Sequence, residues 1–238
     1  MHFSTHFFDA VCDYRYLLAR EYPVKAMLQL VGDRYGLSAH ERVMLYRGMA
    51  TEQQITRRLS KKITEAPQHT VWTLDGFNVC RTVGSYLNGN PVFVGLDGFL
   101  RDVSELHRKK LKWEVLERAM ERVLEFMAGQ APENIRIYFD TPISHSGKMC
   151  EMTRRKMTDH HLRGTAETVF SPDYELVHTQ DGIICTADSN IIDRAGVPVF
   201  DLAHAVLQKF FSARVFSFPE ALAGKGCDDK PQPFNRLS

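Results

Sequence analysis

Asp181-Gly182-Ile183-Ile184-Cys185-Thr186-Ala187-Asp188 is a short apolar run that opens on a Gly turn and closes on a carboxylate, and Ser189-Asn190-Ile191-Ile192-Asp193 follows without a spacer. A brief apolar run bounded by turn residues suits a strand buried on both faces, and an Asp directly behind it suits the cap of a new helix. Val71-Trp72-Thr73-Leu74-Asp75-Gly76-Phe77-Asn78 has the same design, and so does Ile135-Arg136-Ile137-Tyr138-Phe139-Asp140-Thr141-Pro142. Strands that each finish on Asp place their carboxylates at one edge of a parallel sheet, the edge where open α/β folds bind ligands. Carboxylates without thiolate or imidazole among them suit a hard cation, Mg²⁺ or Mn²⁺.

From Val71 onward strands and helices alternate, which gives an α/β fold with a mostly parallel sheet flanked by helices. The pattern predicts strands at 71–75, 91–95, 135–140, 166–170, 182–187, 197–200 and 214–218. It predicts helices near 79–87, 110–129, 145–163, 188–195 and 201–212. Before this region the chain reads as helical throughout. Phe7, Val11, Tyr14 and Leu18 share one spacing, Val24, Met27, Leu28, Val31 and Tyr35 another, and Ser38 to Glu41 forms a capping box ahead of a third helix. The run Arg57, Arg58, Lys61, Lys62 then reads as a solvated helix end or as a nucleic-acid contact. The expected organisation is a small all-helical domain at 1–66, the α/β domain at 67–218 and a flexible tail at 219–238, rich in Gly, Pro and Asp.

Composition narrows the function classes. With 30 basic and 29 acidic residues, any nucleic-acid site must be a local patch, because net charge supplies no attraction. Five cysteines, an odd number with no C-x-x-C pair, argue against a disulfide framework and a zinc ribbon. No run approaches a membrane span and no secretory leader is expected, so the sequence reads as cytoplasmic. Ser146-Gly147-Lys148 lacks the spacing of a phosphate-binding P-loop. Phe77 and Phe99 stand where a haloacid-dehalogenase-type phosphatase needs its second Asp.

Asp75 and Asn78 lie one helical turn apart, so the Asp could hold a cation while the Asn holds water or fixes the Asp; the plainer reading is a helix cap and a turn. Asp188 would cap the next helix and also reach the edge, with Asp193 just over one turn on. Asp140 precedes Thr141-Pro142, which forces extended backbone and exposes the strand tip. Asp173, behind Ser171-Pro172, is either a fourth acid at the edge or a favourable first-turn residue. In Gly95-Leu96-Asp97-Gly98-Phe99-Leu100-Arg101-Asp102, Arg101 either meets phosphate with Asp102 orienting it or makes a local ion pair. Arg108, Lys109 and Lys110 form one basic group and Lys148, Arg154 and Arg155 a second; both flank the acids, as an RNA backbone requires, or are simply solvated.

In the order strand-Asp-Gly-x-Asn, strand-Tyr-x-Asp and Asp-Gly-apolar-Thr-Ala-Asp, residues 70–218 resemble the PIN-like ribonucleases, in particular their NYN branch. With its helical start, the chain also resembles an uncharacterised prokaryotic family that joins a helical N-terminal domain to a PIN-like domain. The resemblance implies Mg²⁺- or Mn²⁺-dependent hydrolysis of RNA, expected to be single-stranded. Asp75, Asn78, Asp140 and Asp188 would be the catalytic group, and Asp173 and Asp193 would complete the metal shell. The helical region would select RNA or mediate self-association. A non-catalytic RNA- or partner-binding module, or a phosphatase for small substrates, would keep the same fold.

Overall fold

The computed structural model describes residues 2–103, 111–143 and 145–223. Four helices come first: α1 (Phe7–Leu18), α2 (Val24–Arg34), α3 (Ala39–Gly48) and α4 (Glu52–Lys61). The Ser38 hydroxyl accepts from the Glu41 N–H, and the Glu41 carboxylate accepts from the Ser38 N–H at 2.8 Å, so α3 starts on the expected capping box. Thr51 and Gln54 make a second box, and α4 is therefore a helix in its own right.

The central sheet is wholly parallel. Its strands are β1 (Lys62–Ile63), β2 (Val71–Asp75), β5 (Asn134–Asp140), β6 (Gly164–Val169), β7 (Ile183–Cys185) and β8 (Val199–Phe200), in the order β1-β8-β7-β2-β5-β6. A second sheet, β4-β3-β9, is built from β3 (Val92–Val94), β4 (Leu100–Asp102) and β9 (Phe216–Ser217). The segments expected as strands near 91–95 and 214–218 thus leave the main sheet, and β1 and β4 are strands that local pattern does not announce.

Strand alternation divides the main core between two faces. Trp72, Leu74, Ile135, Ile137, Phe139, Ile183 and Cys185 pack under α5 (Gly76–Leu87), α6 (Trp113–Ala128), α7 (Ser146–Asp159) and α10 (Leu202–Phe211). Ile184 and Val199 face the other way, onto Leu176 of α8 (Pro172–Val177), onto Ile191 and Ile192 of α9 (Ser189–Arg194), and onto Phe99. Gly182 has φ +69°, and a Cβ there would strike the Val71 carbonyl, so only Gly lets β7 enter beside β2.

The helical region does not close a core of its own. Phe7, Val11, Met27, Val31, Met44 and Leu45 share one apolar cluster with Phe93, Val103 and Phe218. Phe218 begins α11 (Phe218–Leu222) and is fully buried, so order extends past residue 218, where the tail was expected to start. Residues 224–238 lie outside the described residues.

Arg58 corrects the solvated reading of its run. It is 6% exposed, and its Nη1 donates to Asp97 Oδ2 at 2.9 Å while Nε and Nη2 donate to Asp193 at 2.8 and 2.7 Å. Arg101 grips the same Asp97 with both Nη atoms, at 2.6 and 2.7 Å. Burial by itself would raise the Asp97 pKa, but the Arg101 and Arg58 guanidiniums outweigh it and hold the carboxyl below its ordinary range. Removing this carboxylate would strand the buried Arg101 and leave Arg58 with Asp193 alone. Asp97→Ala is expected to cost about 3–5 kcal/mol of unfolding free energy, read by urea denaturation; a loss under about 1 kcal/mol, the scale of an exposed pair, would refute the hub.

Candidate active site

β2 pairs with β5 on one side, Asp75 opposite Tyr138, and with β7 on the other, Leu74 opposite Cys185. Parallel pairing therefore sends Asp75, Asp140 and the Thr186-Ala187-Asp188 turn to the same edge. The chain leaves β2 toward β5 and leaves β7 toward β8 on the opposite side. The carboxyl ends of β2 and β7 thus flank the topological switch point where such sheets open a crevice.

Local structure follows from the motifs. Asp75 caps α5, its Oδ1 accepting from the Asn78 N–H at 3.0 Å. A Cβ at Gly76 would collide with the Phe139 ring, so Gly lets α5 turn onto β5 directly behind the carboxylate. The Asn78 side-chain Oδ1 accepts from the Ala187 N–H at 3.1 Å and ties the β2 turn to the β7 turn. Asp188 caps α9, its Oδ1 accepting from the Asn190 N–H at 2.8 Å. Asp140 ends β5, and Thr141 pins that tip to β6, its N–H and hydroxyl donating to the Val169 carbonyl at 2.8 and 2.9 Å.

Asp173 sits in the first turn of α8, which Ser171 caps. The second oxygens of Asp75 and Asp188, and both carboxylate oxygens of Asp140, receive no side-chain hydrogen bond among the described residues.

These acids feel one another. Asp75 is 8% exposed, and its pKa is pushed up to about 7, first by burial and then by the charges of Asp140, Asp173 and Asp188, against the Asn78 N–H that lowers it. Burial, then Asp188 and Asp140, also raise the Asp173 pKa, which Arg194 partly offsets. Among the described residues no three His, Cys, Asp or Glu side chains converge closely enough to ligate one ion directly. A cation at this edge would have to keep part of its water shell and take one or two carboxylates directly, the habit of Mg²⁺.

Other expected site residues lie elsewhere. Asp193 is held by Arg58 and by Arg57 at 3.2 Å; burial raises its pKa, but the guanidiniums win and lower it, so it is not an open ligand beside Asp188. Arg101 is 2% exposed and bound to Asp97, out of reach of any phosphate. Lys148, exposed in the first turn of α7, lies 4.2 Å from the Trp113 ring centroid. The Arg154 Nε donates to the Ala166 carbonyl at 2.7 Å; with Arg155 it sits about 12 Å along α7 from its start, away from the edge. Arg108, Lys109 and Lys110 lie outside the described residues.

Asp201 was missed, although Val199-Phe200-Asp201 repeats the strand-Asp signal. It is buried at the same edge, but it is committed to the Leu100 N–H at 2.7 Å and the His204 N–H at 3.1 Å. A cleft of about 600 Å³ on the α6–α7 surface is lined by charges that pair with each other, Glu121 with Lys156 at 2.5 Å and with His160 at 2.7 Å.

The raised Asp75 pKa has a thermodynamic sign. The folded state holds this proton more tightly than the unfolded chain, so its stabilisation is complete below the unfolded value of 3.8 and is lost as pH rises toward about 7. Without metal, wild type is expected to lose on the order of a few kcal/mol more than Asp75→Asn between these pH values. Parallel pH–stability curves in chelator would refute the assignment.

Residues 6–61, the helical region, match the family described as Protein of unknown function (DUF434). An uncharacterized protein of Methanocaldococcus jannaschii is 29% identical over 187 residues, 78% of this chain and 88% of its own length. No solved structure matches. Residues 64–205, more than half of the chain and every Asp of the edge, match the Domain of unknown function (DUF5616), and the chain belongs to that family.

Proposed function

We propose that the chain is a Mg²⁺- or Mn²⁺-dependent ribonuclease acting on single-stranded RNA. The observation that carries this reading is the group Asp75, Asp140, Asp173 and Asp188 at the switch point, none of them paired with a Lys or Arg side chain among the described residues. Four acids in one place repel one another unless a cation joins them. When bound, the cation would lower the pKa of a water and neutralise charge developing on a phosphate.

The residues of the chain would do the rest. Asp75 and Asp188, fixed by their caps, would hold the cation from two adjacent strands. Asp140 and Asp173 would orient its waters. Asn78 has its carbonyl committed to Ala187, which leaves its amide N–H groups as donors to a water or a phosphate oxygen. Lys148, exposed in the first turn of α7, would meet the RNA backbone.

Purified protein is expected to cut a labelled single-stranded RNA with Mn²⁺ or Mg²⁺ and to leave it intact in EDTA. Asp188→Asn keeps a cap acceptor and the fold, and should lower cleavage by about 100-fold or more. Equal cleavage by wild type and variant would refute the site. RNA bound but never cut would favour a binding module, and turnover of small phosphate esters alone would favour a phosphatase.

A further inference from the structure

Two aromatic rings at the sheet edge have no partner in the core. Phe170, the residue after β6, is 86% exposed, and Tyr174 in α8 is 59% exposed. Asp173 lies between them in sequence. Both rings stand on anchored backbone. The Val169 carbonyl accepts two hydrogen bonds from Thr141, which fixes the β6 tip beside the Asp140 tip. The Ser171 hydroxyl accepts from the Tyr174 N–H at 3.2 Å, and Pro172 is buried at the helix start. Tyr174 also faces His178, ring centroids 4.0 Å apart, while His178 Nδ1 lies 2.7 Å from the Tyr174 carbonyl.

A protein partner would need about 800 Å² of complementary surface from each side. Around Phe170 the surface is instead polar: Glu167, Thr168 and Asp173 are all exposed. An isolated ring set among polar groups beside a phosphate site suits a flat, sequence-independent ligand, the face of an unpaired base. Arg194, exposed and close enough to lower the Asp173 pKa, adds a cation on the same side.

We infer that Phe170 and Tyr174 are stacking platforms for unpaired bases next to the phosphate held at the Asp edge, and that they make the site selective for single-stranded over duplex RNA. The inference rests on the ribonuclease reading and adds the residues that set its substrate class. In a duplex the bases are already stacked on one another, so neither ring gains a partner.

The test uses the full chain in Mg²⁺, in the Asp188→Asn background so that RNA stays intact, with a short single-stranded RNA carrying 2-aminopurine. Phe170→Ala is expected to weaken binding by about 5- to 150-fold, and Tyr174→Ala by a similar range. Quenching of the 2-aminopurine should fall with it, while affinity for the matching duplex and thermal stability stay unchanged. In the Asp188-containing enzyme, Phe170→Ala should narrow the preference for single strands over duplex. Unchanged single-strand affinity and quenching, with Asp188-dependent cleavage intact, would overturn the stacking inference and leave the ribonuclease reading standing. A dimer that becomes a monomer in Phe170→Ala, with RNA affinity preserved, would reassign the ring to self-association and also overturn it. A protein that neither binds nor cuts RNA would overturn both.

Discussion

β2 is paired on both sides by parallel ladders, and that double pairing fixes the positions of Asp75, Asp140 and Asp188 at the edge. Val71 to Asp75 run alongside Asn134 to Tyr138, and Trp72 to Leu74 alongside Ile183 to Cys185. Side chains alternate with a period of two, so a slip of one residue on either side would turn Trp72 and Leu74 out of the core. Register is therefore set by burial, and the strand ends follow it. The bond from the Ala187 N–H to Asn78 adds a tie across the gap where the two crossovers diverge. Asn78 in this way acts on the position of Asp188 as well as on that of Asp75.

The aspartates near this end of the fold meet two fates. Asp97 and Asp193 sit among guanidiniums that more than offset their burial, whereas the Asp201 oxygens are bonded to two backbone N–H groups that do not prevent burial from raising its pKa. Asp75, Asp140, Asp173 and Asp188 make no ion pair with Lys or Arg among the described residues, although Asp75 and Asp188 accept backbone N–H groups as helix caps. Pairing was available: Arg58 reaches two acids at once, and Arg194 lies near Asp173 without cancelling its shift. Stability alone gives no reason to leave four repelling carboxylates together. In the proposed reading, a bound cation is what offsets that repulsion.

What the sequence disclosed, and what it hid, follows the range of the interactions. The strand-Asp units were legible because each is a local pattern of apolar run, acid and helix start, and the α/β class follows from their alternation. The second sheet was not legible, since β3, β4 and β9 are short and β9 joins from more than a hundred residues away. Arg58 looked solvated because its acids stand 39 and 135 residues distant. The same long-range pairing removed Asp193 from the role that spacing suggested, whereas Arg101 went to Asp97 four residues away, the local ion pair that the sequence also allowed. Asp201 shows the opposite limit: its signal is present, and only the Leu100 and His204 N–H groups reveal that it is already spent.

The helical region belongs to the same physical unit as the edge. α9 has six residues, a length of about 9 Å, far too short to hold its own direction. Its first end is fixed by the Asp188 cap and by the Thr186 hydroxyl, which accepts from the Asp188 N–H at 3.1 Å. Its last end is fixed by α4: Lys61 Nζ donates to the Ile192 and Asp193 carbonyls at 2.9 and 3.0 Å, and Arg58 grips the Asp193 carboxylate. Cations on terminal carbonyls also suit the negative end of a helix dipole. The orientation of the helix that Asp188 caps is thus set partly by residues before the α/β region begins. Phe93, Val103 and Phe218 complete the linkage from the other side, since their side chains share one apolar cluster with those of α1, α2 and α3. The boundary between the two matched families falls at 61–64, inside a stretch where α4 passes directly into β1, and the packing on either side of it is continuous.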